Sequence, residues 1–260
     1  MCSKKSCVIV KGYKMKTVLV TGAAGGIGKA ICDVFHQADY QVIGVDRQPA
    51  ENMPYEVLDY DISRLAHADA ARDSFYRRVE GLCEGHLSAL VNNAAIQIVK
   101  PIQTINSADW AETLDTNLLA PFWLIQHFLP SLRAEKGCVV NIASIHAMVT
   151  KSEFTVYSTS KGALVSLTRA LAIELAPDVR VNAVIPAATD TPMLRAGFGE
   201  NIEGLQQLGD YHPLKHIAEP EEVAQIVLFL AGPQSSFMTG AAVNVDGGIG
   251  ACLHDPVVAR

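Results

Sequence analysis

Seven short runs rich in β-branched residues alternate with longer stretches of helical periodicity, and this alternation constrains the fold more than any other feature of the chain. The runs are Thr17–Thr21, Gln41–Asp46, Tyr55–Tyr60, Ala89–Asn92, Cys138–Ile142, Val181–Ile185 and Ala242–Val245. They are apolar continuously rather than alternately, the pattern of strands covered on both faces. Between them Ile27, Ile31, Val34 and Phe35 form one helical stripe, and Val223, Ile226, Val227 and Leu230 form another. The second stripe follows Pro220, Glu221 and Glu222, a rigid first turn with negative charge at the positive end of the helix dipole. The order β-α-β-α predicts an α/β fold with a doubly wound parallel sheet, in a single domain over residues 15–260. One connection is too short for a crossover helix: Arg47 to Pro54, with Pro49 and Pro54 inside it, predicts a turn or loop.

Composition narrows the function. The 260 residues are 49% apolar, ample for a large core, and carry a formal charge of -6. That balance and the lack of a basic patch argue against nucleic acid as a partner. No run of about 18 apolar residues is present, so no membrane span is expected. The six cysteines (Cys2, Cys7, Cys32, Cys83, Cys138, Cys252) are scattered without a C-x-x-C pair. They read as free thiols of a cytoplasmic protein rather than as a disulfide framework, and no metal site is expected. Residues 1–14 lack periodicity and read as a flexible N-terminal extension or the product of an upstream start codon.

The first run leads into Thr21-Gly22-Ala23-Ala24-Gly25-Gly26-Ile27-Gly28 and then a helix. Glycines let a backbone turn sharply and approach a pyrophosphate, while a helix N-terminus supplies free N–H groups. Strand, glycine turn, helix and a carboxylate at Asp46 closing the next strand together predict a Rossmann-like dinucleotide site. Gly22, Gly26, Ile27 and Gly28 are its expected contacts. Asp46 can accept both ribose hydroxyls of NAD. Against a 2′-phosphate it sets like charges together, at about 4 kcal/mol per pair at 4 Å and an effective dielectric near 20. Arg47 could bind such a phosphate if Asp46 swung away, but no basic residue sits in the glycine turn, so NAD is expected over NADP. The short Arg47–Pro54 connection leaves the adenosine edge of this site open.

Tyr157-Ser158-Thr159-Ser160-Lys161 puts a phenol and an ammonium one helical turn apart. A phenol is a poor acid-base catalyst with its pKa near 10, and lowering it by about three units takes about 4 kcal/mol. A nearby ammonium in a shielded site, assisted by oxidised nicotinamide, is of that order. Ser144 follows the strand Cys138–Ile142, at the sheet edge where such folds bind ligands. Asn117 lies in the preceding helical stretch. By position and order, Asn117, Ser144, Tyr157 and Lys161, with the T-G-x-x-x-G-x-G turn, resemble the short-chain dehydrogenase/reductase superfamily from about Lys16 to Gly248.

The resemblance implies that Tyr157 is the general acid/base and that Ser144 hydrogen-bonds the reacting oxygen. It implies that Lys161 tunes the phenol and binds the nicotinamide ribose, and that Asn117 holds a water relaying protons to Lys161. Asp61-Ile62 resembles the family's adenine-contacting pair. Asn93 and Ala94 lie in Asn92-Asn93-Ala94-Ala95, which departs from the family's N-N-A-G at Ala95. Pro186 and Thr191 stand where the family has its nicotinamide-side loop, with Ala187 replacing the usual glycine. Thr191 would bond the carboxamide.

The activity implied is hydride transfer between NAD and a secondary alcohol or ketone, such as a sugar or small hydroxy compound. Reduction of a 3-oxoacyl thioester is the enzymatic alternative, and a non-catalytic dinucleotide-binding protein is the other. The substrate pocket is expected among Gln97, His146, Met148, Phe154 and the stretch Ala188–His216, whose Gly197, Gly199 and Gly204 suit a mobile lid. His146 stays open between substrate binder, second proton donor and structural loop residue. A homotetramer, or failing that a dimer, is expected from the resemblance and from a Tyr–Lys helix that is apolar around more than one stripe.

Overall fold

The computed structural model describes residues 15–48, 52–67 and 70–253. The expected extension at 1–14 lies outside them. The strands are β1 (Thr17–Thr21), β2 (Gln41–Asp46), β3 (Glu56–Asp59), β4 (Ala89–Asn92), β5 (Cys138–Ile142), β6 (Arg180–Pro186) and β7 (Ala242–Val245). The helices are α1 (Gly26–Gln37), α2 (Ala70–Cys83), α3 (Ser107–Leu114), α4 (Ala120–Ala134), α5 (Thr155–Leu175), α6 (Pro192–Phe198), α7 (Ile202–Tyr211) and α8 (Pro220–Ala231).

The seven strands form one parallel sheet in the order β3-β2-β1-β4-β5-β6-β7. The winding reverses between β1 and β4, which opens a crevice at the carboxyl ends of these strands. Successive side chains of a strand enter opposite layers. Val18 and Val20 pack with Ile31, Phe35, Val223 and Val227 of α1 and α8. Leu19 packs on the other face among Phe75, Val79, Leu124, Phe128 and Leu171 of α2, α4 and α5. The central strands β1, β4 and β5 are wholly buried, as a continuous apolar run requires.

The edge strands differ. β3 and β7 keep exposed positions because only one neighbour covers them. β3 is also shorter than the run Tyr55–Tyr60: Tyr55 turns its hydroxyl to Asp33 (3.0 Å) and Tyr60 stacks on Phe75 (4.3 Å). β6 is longer than Val181–Ile185 by a residue at each end. The described part of the connection between β2 and β3 holds no helix, as its length predicts.

Candidate active site

The glycine turn is fastened to the end of β4 by the chain's own hydrogen bonds. The Thr21 hydroxyl accepts from the Asn93 and Ala94 backbone N–H groups (3.0 and 3.1 Å). The Asn93 side-chain amide donates to the Thr21 and Gly22 carbonyls (2.9 and 3.1 Å). Gly22 has φ +68°, and a Cβ there would lie 2.8 Å from Ala94 Cα. A Cβ on Gly28 would fall onto the Gly22 carbonyl, and one on Gly26 would meet the Thr191 methyl at 2.8 Å. These three glycines are therefore demanded by the chain's own packing as well as by any pyrophosphate. The N-terminus of α1 has no side-chain cap and no acidic residue in its first turn. Such an end favours an anion.

This turn forms one part of a cavity of about 690 Å³, within the range of ligand sites. Gly22, Gly26, Ile27, Gly28, Asp46, Asp61, Ile62, Asn93, Ala94, Ser144, Tyr157, Lys161, Pro186 and Thr191 all line it. Asp46 Oδ2 accepts from Ala24 N (2.9 Å) and Oδ1 from Gln48 N (3.0 Å), which fixes the carboxylate at the cavity wall with further lone pairs free. The Asp61 carboxylate caps a 3₁₀ turn at Ser63 N (3.0 Å), and Ile62 is buried in the core beside it. Thr191 Oγ1 accepts from Leu194 N (3.2 Å) and caps α6. Ala95 and Ala187 adopt ordinary negative φ, so neither turn needs the glycine of the family pattern. The uncapped helix end, the glycine packing and the held carboxylate fit a dinucleotide: the turn for its phosphates and Asp46 for a ribose, with Thr191 packed against Gly26 at the cavity wall.

At the other part of the cavity, α5 carries Tyr157 and Lys161 on its buried face. Burial pushes the Tyr157 phenol up, opposed by a hydrogen bond with Ser144. Burial pushes the Lys161 ammonium down to about 7. Lys161 Nζ donates to the Ile142 carbonyl at 2.7 Å and lies 5.7 Å from the Tyr157 ring centroid. The Tyr157–Lys161 spacing predicts an ammonium that lowers the phenol. In the protein alone the shared dry wall acts on both groups first, each towards its neutral form. Ser144 Oγ accepts from His146 N (3.2 Å), which fixes the hydroxyl beside the phenol.

Asn117 does not line the cavity. It sits in a π-helical turn, Asp115–Leu119, between α3 and α4, an irregularity that often marks functional positions. Its Oδ1 accepts from Ile96 N (2.9 Å), and its Nδ2 donates to Ile96 O and Ser160 Oγ (both 3.0 Å). These contacts tie the chain after β4 to α5 and so set the distance between the glycine turn and the Tyr157 helix. Thr21, Ser160 and the Ile142 carbonyl are the supports that sequence reasoning missed. Only Thr21, directly before Gly22, carried a signal.

The substrate end holds Gln97, His146, Lys151, Phe154, Leu208 and His212. Met148, expected here, is 59% exposed and outside the lining, because the 3₁₀ turn Ile145–Ala147 directs it to solvent. His146 stacks on Phe154 (4.3 Å, 11°), meets Tyr157 edge-on (5.8 Å) and shares a hydrogen bond with Thr150 Oγ1 (2.9 Å). Burial, aided by the Lys151 charge, pushes its imidazole down to about 4, so it is neutral at physiological pH. The stretch after β6 folds into α6 and α7, with Arg195 clamped to Asp190 (2.6 Å). His212 on this stretch bonds the Leu208 carbonyl through Nδ1 (2.8 Å) and leaves a buried Nε2 without a partner. No group of residues suited to a metal occurs among the described residues. Among them, too, no helix is long and apolar enough to cross a membrane.

A family model described as enoyl-(acyl carrier protein) reductase matches residues 22–250. Cyclopentanol dehydrogenase of a Comamonas strain is 32% identical over 90% of this chain and 96% of its own length. A 3-oxoacyl-[acyl-carrier-protein] reductase of Thermotoga maritima is 33% identical over 90% of this chain and 97% of its own. The ligand-free aldohexose dehydrogenase of Thermoplasma acidophilum superposes with a TM-score of 0.87 at 31% identity, covering 95% of this chain and 98% of that one. Solved structures of like fold carry NADH in one case and NADP in another. The chain belongs to the short-chain dehydrogenase/reductase superfamily, and its activity is that of a nicotinamide-dependent oxidoreductase acting between alcohols and ketones.

Proposed function

We propose that the cavity is an NAD-dependent active site in which Tyr157 is the general acid/base for oxidation of a secondary alcohol or reduction of its ketone. The observation that carries this reading is the gathering of Ser144, Tyr157 and Lys161 on one wall of the cavity whose opposite end is the glycine turn and Asp46. When bound, the dinucleotide supplies the hydride acceptor or donor. The chain's own part is to hold and protonate. Ser144 orients the substrate oxygen towards the phenol, and Tyr157 takes the hydroxyl proton in oxidation or returns it in reduction. Lys161 holds the nicotinamide ribose and, when protonated, favours the phenolate. Asn117 positions α5 against the β4 edge, and the carbonyl of Ile142 keeps the Lys161 side chain extended along the wall.

NAD is preferred over NADP in this reading, because the Asp46 carboxylate is anchored by two backbone N–H groups at the end of β2. Left in place it sets like charge against a 2′-phosphate, and swinging it away gives up both of those hydrogen bonds. A homotetramer or dimer is proposed on a further observation. The outer stripe of α5, the π-helical turn and the start of α4 leave a shallow groove lined by Leu118, Leu119, Phe122, Ala163, Leu167 and Ala170, which a neighbouring subunit would cover. A cytoplasmic setting accords with the free buried thiols Cys32, Cys83 and Cys138.

A screen of secondary alcohols, polyols and sugars with NAD, followed as absorbance at 340 nm, tests the reading. Turnover of at least one class is expected, and failure of every class would contradict it. The likeness to a 3-oxoacyl-thioester reductase supports a second reading. Efficient reduction of acetoacetyl-coenzyme A, with alcohols inert, would favour that one.

A further inference from the structure

Charge is spread unevenly along the cavity. Its acidic lining residues, Asp46 and Asp61, belong to the dinucleotide end, where backbone N–H groups already hold both carboxylates. Around Tyr157 the lining holds neutral side chains and one outward ammonium, Lys151. The other lysine there, Lys161, is buried, donates to the Ile142 carbonyl and, in the reading above, serves the nicotinamide ribose with its remaining donors.

Lys151 is placed by an aromatic chain that begins at the tyrosine. His146 meets Tyr157 edge-on at 5.8 Å, Phe154 stacks on His146 at 4.3 Å, and Lys151 Nζ stands 4.7 Å from the Phe154 ring centroid. Phe154 is buried, so this tether is fixed to the wall of the site. Among the described residues no carboxylate lies within ion-pair distance of Lys151, and it lines the cavity. An ammonium held at the rim of a reaction pocket by a cation–π contact, with its donors free, is complementary to an anion entering that pocket.

We propose that the substrate is a hydroxy or oxo carboxylate whose carboxylate is held by Lys151 while its carbinol or carbonyl oxygen lies against Ser144 and Tyr157. The proposal rests on the active-site reading above. It makes Lys151 a specificity residue with no part in proton transfer.

The test uses two oxo acids of different reach, acetoacetate and 5-oxohexanoate, with their methyl esters. Calorimetry on the NAD-loaded protein, which has no hydride to give, measures affinity free of turnover. At least one acid should bind about tenfold more tightly than its ester, the size of one charge-assisted hydrogen bond. Lys151→Met should abolish that preference with ester affinity unchanged, and Lys151→Arg should restore most of it. Lys151 is exposed, so these variants are expected to fold. Acids that bind no better than esters, or a preference that survives Lys151→Met, would overturn the proposal. NADH-driven reduction of the same compounds reports separately on the active-site reading. Esters reduced without any acid preference would defeat the carboxylate site alone. Lys151-dependent acid binding with no reduction of any compound would support that site and count against Tyr157 chemistry.

Discussion

Burial works on Tyr157 and Lys161 in opposite directions, and the consequence can be measured without any substrate. An ordinary lysine titrates near 10.4, and this one is pushed down to about 7 by loss of water. Between those values the unfolded chain keeps a proton that the folded chain has shed, so this lysine makes stability rise with pH across that window. Below pH 7 its full burial cost is present. Urea unfolding at pH 7 and pH 9 should show wild type gaining about 2–3 kcal/mol relative to Lys161→Met, the integral of the shift over that interval. Parallel behaviour of the two proteins would mean that the ammonium is solvated in the folded state. Asp46 offers a second residue-scale test. Asp46→Ala removes the like-charge repulsion with a 2′-phosphate, so the ratio of kcat/KM for NAD over NADP should fall by about tenfold or more. An unchanged ratio would place the adenosine ribose elsewhere.

Among the elements, the junction of β6 with the end of α8 depends on Arg180. Its guanidinium donates to the carbonyls of Leu230 and Gly232 at the helix terminus and to those of Ser235 and Met238 beyond it. The Leu230 and Gly232 carbonyls, which also accept from the Ser235 hydroxyl (2.9 and 3.1 Å), gain a charged donor at the helix end, and the turn leading to β7 is held. Arg180→Met should cost about 3 kcal/mol and lower the Tm by about 5–10 °C, with cofactor affinity little changed. A loss below about 0.5 kcal/mol would show that water replaces the side chain.

The sequence made the strands and helices readable because burial imposes a period: Val18, Leu19 and Val20 enter alternate layers, and Ile31 and Phe35 repeat along one helix face. It also placed the glycine turn and the Tyr157–Lys161 pair, whose spacings are local. What it hid was nonlocal. The Asn117 amide finds Ile96 and Ser160 only after α3 and α4 are broken by the π turn, and Arg180 meets carbonyls about 50 residues downstream. Lys151 is the local exception, three residues from Phe154 but part of no motif. Its meaning comes from the Phe154 ring beneath it.

For the molecule as a whole, the groove along α4 and α5, together with Ile173 at 82% exposure, leaves apolar surface that an isolated subunit would show to water. Light scattering at micromolar concentration should give about two or four times the subunit mass of 27.9 kDa. The subunit mass itself would rule the assembly out. One cavity joins the proposed dinucleotide site to a buried tyrosine, and the Tyr157→Phe variant tests most directly whether the two act together. Phenylalanine keeps the ring and its packing but has no proton to exchange. On the alcohol that wild type oxidises best, kcat/KM should fall by about a thousandfold or more while the Kd for NADH stays within about twofold. Substantial turnover in Tyr157→Phe would contradict the account and move the proton to another group.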